Sequence, residues 1–170
     1  MRILEFIPVF IDGGAERFVV DIASEFSNEG HKVHISSLFA QDAEGMKYFS
    51  EWDGRIERSF LDKQLGMDLR ILWRLARLIR DFQPDIIHTH LRVVNYIALV
   101  QLFSWKKVPV VHTVHNHAPA EVIGSKEKTI REWLLKFKRI HPVTISQVSD
   151  ESFSAFYPGM KAKRIDNGRS

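Results

Sequence analysis

Five of the eight histidines in this 170-residue chain occur in two groups. His88 and His90 flank a threonine after a short apolar run, and the stretch V-V-H-T-V-H-N-H holds His112, His115 and His117. Imidazole can act as a base, as an acid, as a hydrogen-bond partner or as a metal ligand near neutral pH. Two histidine-rich loops therefore indicate either a polar binding crevice or a metal site supplied by several nitrogens.

A glycine pair, Gly13 and Gly14, separates the apolar run Ile3–Ile7 from a helical pattern that begins at Ala15. Glycine lets the backbone approach a ligand closely, and the N–H groups that open a helix attract anions. The pair therefore indicates a site for phosphate or sugar groups. The sequence lacks the G-x-G-x-x-G fingerprint, the Walker A lysine motif and the G-x-S-x-G elbow. These absences argue against an NAD-binding domain, a P-loop NTPase and an α/β-hydrolase.

Short apolar runs alternate with helical patterns along the chain, and these elements must position the glycines and histidines. The sequence predicts seven strands, at Ile3–Ile7, Lys32–Leu38, Arg55–Leu61, Asp85–His88, Pro109–Val114, Pro142–Ile145 and Lys163–Asp166. It predicts five helices, at Ala15–Glu29, Leu69–Asp81, Val93–Phe103, Ser125–Arg139 and Ser149–Tyr157. The polar stretch from Gln41 to Asp53 is predicted as a loop with a short helix.

This alternation predicts a Rossmann-like α/β fold with three layers, α/β/α, around a mainly parallel sheet of six to seven strands. In such a sheet, ligands bind where the strands end at their carboxyl edge. The glycine pair and both histidine groups are expected to meet there. Since the chain has no cysteine, thiolate metal sites and disulfides are excluded. Acidic residues near the histidines are sparse, so a binding crevice is favoured over a metal-dependent hydrolase, which stays open as an alternative.

The predicted helix Ser125–Arg139 is amphipathic. Its apolar side carries Ile130, Trp133, Leu134 and Phe137, and its basic side carries Lys126, Lys128, Arg131, Lys136, Lys138 and Arg139. Two interpretations are open: the apolar side packs on the sheet, which is favoured, or the helix lies on an anionic membrane.

The net charge of +3 comes from a basic excess after residue 125. No nucleic-acid-binding motif occurs. The N-terminus lacks the pattern of a signal peptide, and a cytoplasmic protein, peripheral at most to the membrane, is expected.

Six segments, in this order and spacing, resemble one family. They are G-G-A-E-R at Gly13–Arg17, G-H-K-V-H-I at Gly30–Ile35, P-D-I-I-H-T-H-L at Pro84–Leu91, V-P-V-V-H-T-V-H-N at Val108–Asn116, V-T-I-S-Q-V-S-D at Val143–Asp150 and I-D-N-G at Ile165–Gly168. With them the chain resembles the N-terminal domain of GT-B glycosyltransferases of family 4, the retaining enzymes also called group 1.

This resemblance implies two Rossmann-like domains that face each other across a cleft. Residues 1–170 would form the N-terminal, acceptor-side domain, ending before the C-terminal domain that holds most of the nucleotide-sugar. No two glutamates here have seven residues between them, so the glutamate pair of the donor domain is missing. The chain alone is therefore expected to be inactive. The resemblance further implies transfer of a sugar from a nucleotide-sugar to a glycan or lipid-linked acceptor, in cell-surface polysaccharide synthesis, with no metal or other cofactor.

The resemblance also assigns site residues. His115 corresponds to the histidine that contacts the donor sugar in the transition state, and Gly13 and Gly14 would lie beside the donor diphosphate. Acceptor contacts are expected at Arg17, His88, His90 and Asn116. Asn116 departs from the glycine that the family often has there. A non-catalytic nucleotide- or carbohydrate-binding module is the alternative from another functional class.

Overall fold

The structure is a computed structural model, and it describes residues 1–11, 13–40, 53–66, 68–104, 107–115, 117–137 and 139–168. Asn116 and all but the last residue of the predicted loop from Gln41 to Asp53 lie outside the described residues. The strands are β1 (Arg2–Ile7), β2 (Lys32–Ser37), β3 (Glu57–Phe60), β4 (Ile86–His90), β5 (Val110–Val114), β6 (His141–Thr144) and β7 (Lys163–Arg164). The α-helices are α1 (Gly14–Asn28), α2 (Arg70–Phe82), α3 (Val94–Leu102), α4 (Gly124–Lys136) and α5 (Gln147–Phe156).

The seven described strands form one sheet in the order β3-β2-β1-β4-β5-β6-β7, and every pair of neighbours is parallel. The predicted Rossmann-like α/β class is therefore confirmed. Glu5 of β1 pairs with His88 of β4, and His90 pairs with Thr113 of β5. This register places His88 and His90 in the middle strand of the sheet, with β1 on one side and β5 on the other.

Successive residues of a strand point to opposite faces of the sheet, and the two faces pack differently. Leu4, Phe6 and Ile87 belong to a core cluster with residues of α2, α3 and α4. Ile7, Val33 and Ile35 belong to a second cluster with Val19 and Ala23 of α1. Helices therefore cover both faces, which gives the three predicted layers.

Helix α1 begins at Gly14 and ends at Asn28, one residue before the predicted Glu29. Gly30 follows with a φ of +81°, the left-handed conformation that favours glycine after a helix. Helix α5 begins at a capping box, in which Ser146 and Ser149 bond each other's backbone N–H groups. Helix α2 begins at Arg70, one residue after the predicted Leu69, and the Asp68 carboxylate accepts the Arg70 backbone N–H at 3.2 Å.

Helix α4 is oriented differently from the favoured sequence interpretation. Arg131 and Leu134 are its buried residues, whereas Ile130, Trp133 and Phe137 are about half exposed to solvent. The predicted packing of the apolar side on the sheet therefore holds for Leu134 alone, and Arg131, assigned to the basic side, is buried with it. Within the described ranges, no helix combines the length and the apolar character needed to cross a bilayer.

Candidate active site at the carboxyl edge of the sheet

The carboxyl ends of β1, β4 and β5 bring the predicted site residues to one edge of the sheet. His115 follows β5 directly, and His90 is the last residue of β4. Phe18, in the second turn of α1, lies edge-on to the rings of His115 and His90, with ring centroids 5.2 and 6.0 Å apart. Since α1 begins at Gly14, the start of this helix and both histidine groups meet at one place, as the sequence predicts.

A buried carboxylate, Glu5 of β1, joins the two histidines of β4. Its Oε2 lies 2.7 Å from Nε2 of His90 and 3.0 Å from Nδ1 of His88. The other ring nitrogen of His88 lies 2.8 Å from the Thr113 hydroxyl. The Glu5 and His90 side chains are fully buried. Burial alone would raise the pKa of the Glu5 carboxyl. The positive charge that His88 and His90 carry when protonated, together with their hydrogen bonds to the carboxylate, lowers this pKa to about 2.

His115 is linked to this group through His90. Nδ1 of His90 lies 3.0 Å from Nε2 of His115, so the three side chains of Glu5, His90 and His115 form a continuous hydrogen-bonded row. Burial, followed by repulsion from His88, lowers the pKa of His90 to about 4. Burial, followed by repulsion from His90, lowers the pKa of His115 to about 3. Both imidazoles are therefore neutral at pH 7.

A second buried network holds the backbone of His115. The Glu121 carboxylate accepts the His115 backbone N–H at 3.2 Å and lies 3.0 Å from Nε2 of His112. Arg131 of α4 lies 3.6 Å from the same carboxylate and donates to the Glu121 carbonyl at 2.8 Å. Burial would raise the pKa of Glu121, but His112 and Arg131 outweigh it and lower that pKa. This network ties α4 to the loop that carries His115.

The space beside Gly13, the first residue of the glycine pair, is filled by the chain's own groups. The Gly13 N–H donates to the Ile11 carbonyl at 2.9 Å. A Cβ added at Gly13 would collide with Oε2 of Glu16, because this side chain folds back over the start of α1. Burial raises the pKa of the Glu16 carboxyl. At Gly14 an added Cβ would meet no described atom within 4 Å. The close approach at Gly13 is thus to a carboxylate, at the place where an anionic ligand was expected.

The predicted acceptor residues differ in their access to a ligand. Arg17 is partly exposed on α1 and pairs with Asp21 at 3.0 Å. His88 and His90 are buried, and both ring nitrogens of each lie within hydrogen-bond distance of protein groups. Leu91, the residue after His90, has a φ of +59°, which is strained for a branched side chain and marks a tight exit from β4. The structure therefore brings the rings of His88 and His90 beneath His115, and Arg17 to the helix beside it.

Glu5, His88 and His90 are also the described residues that are close enough together to hold a metal ion. Their facing atoms are separated by hydrogen-bond distances of 2.7 and 3.0 Å, and all three residues are buried. A catalytic metal keeps an open position for water or substrate, whereas both ring nitrogens of His88 and of His90 already lie within hydrogen-bond distance of protein groups. The geometry favours a hydrogen-bonded cluster over the metal-dependent hydrolase.

Sequence reasoning missed three buried charged residues of this site, Glu5, Glu121 and Arg131. Glu5 could have been found, since it is a carboxylate in the middle of the apolar run R-I-L-E-F-I. A charge at a core-facing strand position requires a partner. Nothing in the local pattern of Glu121 or Arg131 distinguishes them from surface residues, because their partners come from distant elements.

Comparison with known proteins gives one family. The family model of Glycosyltransferase Family 4 matches residues 12–162. The comparison with curated proteins finds no match.

Among solved structures, HepE of Anabaena, in complex with UDP and glucose, superposes with a TM-score of 0.74 at 19% identity, over 100% of this chain and 45% of HepE. A glycosyltransferase of Rickettsia africae superposes with a TM-score of 0.72 at 21% identity, over 98% of this chain and 43% of its own. The chain thus spans less than half the length of these structures, which share its fold. Because the family model covers nearly all of the sequence, the chain belongs to glycosyltransferase family 4.

Proposed function

We propose that this chain is the N-terminal, acceptor-side half of a retaining glycosyltransferase. The reaction would move a sugar from a nucleotide-sugar to a glycan or lipid-linked acceptor, as in the synthesis of cell-surface polysaccharides. The observation that carries this proposal is the placement of His115 at the carboxyl edge, neutral and beside the start of α1, in a chain of family 4. HepE, which shares this fold, was solved with UDP and glucose.

In the proposed reaction, His115 contacts the donor sugar and the start of α1 faces the diphosphate. Glycosyl transfer builds positive charge on the sugar ring and negative charge on the leaving diphosphate. The partial positive charge at the start of α1 would favour the diphosphate. Glu16 opposes this, because its carboxylate covers Gly13. A diphosphate therefore requires the Glu16 side chain to swing away or to be protonated, and its raised pKa lowers the cost of protonation.

A groove at the carboxyl edge between α3 and α4, of about 900 Å³, suits an acceptor that combines apolar and anionic groups. Its apolar walls include Phe39, Tyr96 and Ile130. Three cations, Lys63, Arg92 and Lys126, line it together with two carboxylates, Glu121 and Glu127, which are both paired with Arg131. Apolar walls with several cations match a lipid-linked phosphate or diphosphate better than a neutral glycan. We therefore favour the lipid-linked acceptor.

The outer face of α4 supports a peripheral membrane contact for residues 125–139. Ile130, Trp133 and Phe137 are exposed along one side of the helix, and the last two rings lie 5.0 Å apart. Aromatic residues flanked by lysines are typical of helices that lie on anionic bilayers. Ile130 also lines the groove. A membrane-bound α4 would place the mouth of the groove next to the lipid phase, where a lipid-linked acceptor resides.

The test is made on a protein that joins this domain to a nucleotide-sugar domain, with radiolabelled UDP-sugars and lipid-linked acceptors. We expect His115→Ala to lower kcat by about 10²–10³-fold while the circular dichroism spectrum stays unchanged. His117→Ala, which changes an exposed neighbour, is the matched control and should keep its turnover. Turnover in His115→Ala equal to the control would remove His115 from the mechanism. An inverted anomeric configuration of the product would refute the retaining assignment.

A further inference from the structure

The buried row from Glu5 through His90 to His115 has a direction, because each of its hydrogen bonds needs one donor and one acceptor. We propose that Glu5 acts through His90 to hold His115 in a single tautomer, with the proton on Nε2 and with Nδ1 as a hydrogen-bond acceptor. Glu5 and His90 are then positioning residues for His115. The relevance of this tautomer to sugar transfer rests on the proposed function, whereas the tautomer itself does not.

The first step of the argument concerns Glu5. An ionised carboxylate can only accept hydrogen bonds. Both neighbours of this carboxylate are ring nitrogens, Nε2 of His90 at 2.7 Å and Nδ1 of His88 at 3.0 Å. A fully buried carboxylate needs such donors to stay charged, and its pKa is lowered in spite of its burial. His90 therefore carries its proton on Nε2, and His88 carries one on Nδ1.

The second step concerns His90. A neutral imidazole has one N–H donor and one acceptor nitrogen. Since the proton on Nε2 is donated to Glu5, Nδ1 of His90 presents a lone pair to Nε2 of His115, 3.0 Å away. Two lone pairs at that distance would repel each other. Nε2 of His115 must therefore carry the proton and donate it to His90.

The third step concerns the remaining nitrogen of His115. Nδ1 has no hydrogen-bond partner among the described residues, and it is not enclosed by them. The edge-on contact with Phe18 and the bond to His90 fix the plane of the ring. The pKa of about 3 keeps the ring uncharged at neutral pH. His115 can therefore accept a hydrogen bond from a ligand hydroxyl but cannot donate one to a phosphate or carbonyl oxygen.

The opposite direction of the row makes a different prediction. If Glu5 were protonated, it would donate to His90, His90 would donate from Nδ1, and His115 would carry its proton on Nδ1. His115 would then be a donor towards ligands. The protonated carboxyl would leave Nδ1 of His88 without its charged acceptor, and the lowered pKa of Glu5 disfavours it.

The experiment is nitrogen-detected NMR of the 170-residue chain without ligand, with ¹⁵N-labelled histidine at pH 7. We expect Nε2 of His115 to be protonated and its Nδ1 to be unprotonated. We also expect a scalar coupling across the hydrogen bond between Nε2 of His115 and Nδ1 of His90, which an isolated ring in the same tautomer would not show. A proton on Nδ1 of His115, or a protonated Nε2 without this coupling, would overturn the proposal. Neither outcome depends on glycosyl transfer, so a failure here is distinguishable from a failure of the proposed function.

A variant pair separates the role of Glu5 from simple packing. Glu5→Leu introduces an apolar side chain of similar size and removes the acceptor, so His90 is free to donate from Nδ1. We expect a second tautomer of His115, protonated on Nδ1, to become populated. Thr113→Val removes an equally buried partner of His88 and leaves the row intact, so the His115 pattern should not change. An unchanged pattern in a folded Glu5→Leu protein would refute the directing role of Glu5. If Glu5→Leu does not fold, the coupling in the unsubstituted chain decides.

Discussion

The buried neutral histidines predict a loss of stability under mildly acidic conditions. The native pKa is about 4 for His90 and about 3 for His115, against 6.5 for an unperturbed histidine. Between pH 7 and pH 5 the unfolded chain binds protons at both rings, while the native protein does not. The free energy of unfolding must therefore fall as the pH falls, since protons bind preferentially to the unfolded state.

The magnitude follows from these pKa values. Each ring costs about 0.7 kcal/mol at pH 6 and about 1.9 kcal/mol at pH 5, relative to pH 7. Together the two rings remove about 4 kcal/mol by pH 5, a large part of the 5–15 kcal/mol that is usual for a domain. Burial also lowers the pKa of His112, which adds to the loss. The raised pKa of Glu16 acts in the opposite direction.

Urea unfolding followed by tryptophan fluorescence at pH 7, 6 and 5 measures this loss. We expect the steeper part of the fall between pH 6 and pH 5. His115→Gln removes one of the two rings, so its loss between pH 7 and pH 5 should be smaller by about 2 kcal/mol. A free energy of unfolding that is flat or rises over this range, or an equal loss in both proteins, would refute the burial of neutral rings at this edge.

Three further predictions test other parts of the structure. Arg131→Met leaves Glu121 without its cationic partner and should lower the free energy of unfolding by about 3–5 kcal/mol in a urea titration, whereas a solvated arginine would cost almost nothing. Gly14→Ala places a methyl group in open space within the first turn of α1 and should raise the free energy of unfolding by up to about 1 kcal/mol, which a urea titration measures. A loss of turnover by this variant in the proposed two-domain protein would then report on ligand contact and not on folding. The chain should sediment with anionic liposomes at low salt, and Trp133→Ala should weaken this binding. The control Ile165→Ala changes an exposed residue on the α1 side of the sheet and should bind as the unsubstituted chain does. Equal binding by all three proteins would exclude α4 as the docking surface.

Most of the fold could be predicted from the sequence, because its signals are local. The apolar run at Ile3–Ile7, the glycine at Gly30 and the alternation of strands and helices each depend on neighbouring residues. The predicted strand ends differ from the observed ones by up to two residues: at β4, predicted to end at His88, the strand continues to His90, which therefore belongs to the strand and not to the loop after it. This difference changes the site, since residues within a strand alternate between faces and are buried by the helix above them.

The edge where the site lies could be predicted, but the contacts within it could not. The convergence of Gly14, His90 and His115 follows from parallel strands alone. The row from Glu5 to His115 requires the register of β1 against β4 and of β4 against β5, and register is a tertiary property. The position of Glu16 over Gly13 depends on a side-chain rotamer, which no sequence pattern records.

The orientation of α4 shows why the amphipathic pattern misled. A helical projection places Arg131 with the other basic residues, and transfer energies favour that placement. In the structure Arg131 is buried because Glu121, Glu127 and the Glu121 carbonyl together accept its guanidinium. This ion pair turns the aromatic side of α4 outward, and the same Glu121 carboxylate holds the backbone N–H of His115. One buried charge pair thus sets both the exposed face of α4 and the position of the site histidine, so a change at either is expected to affect the other.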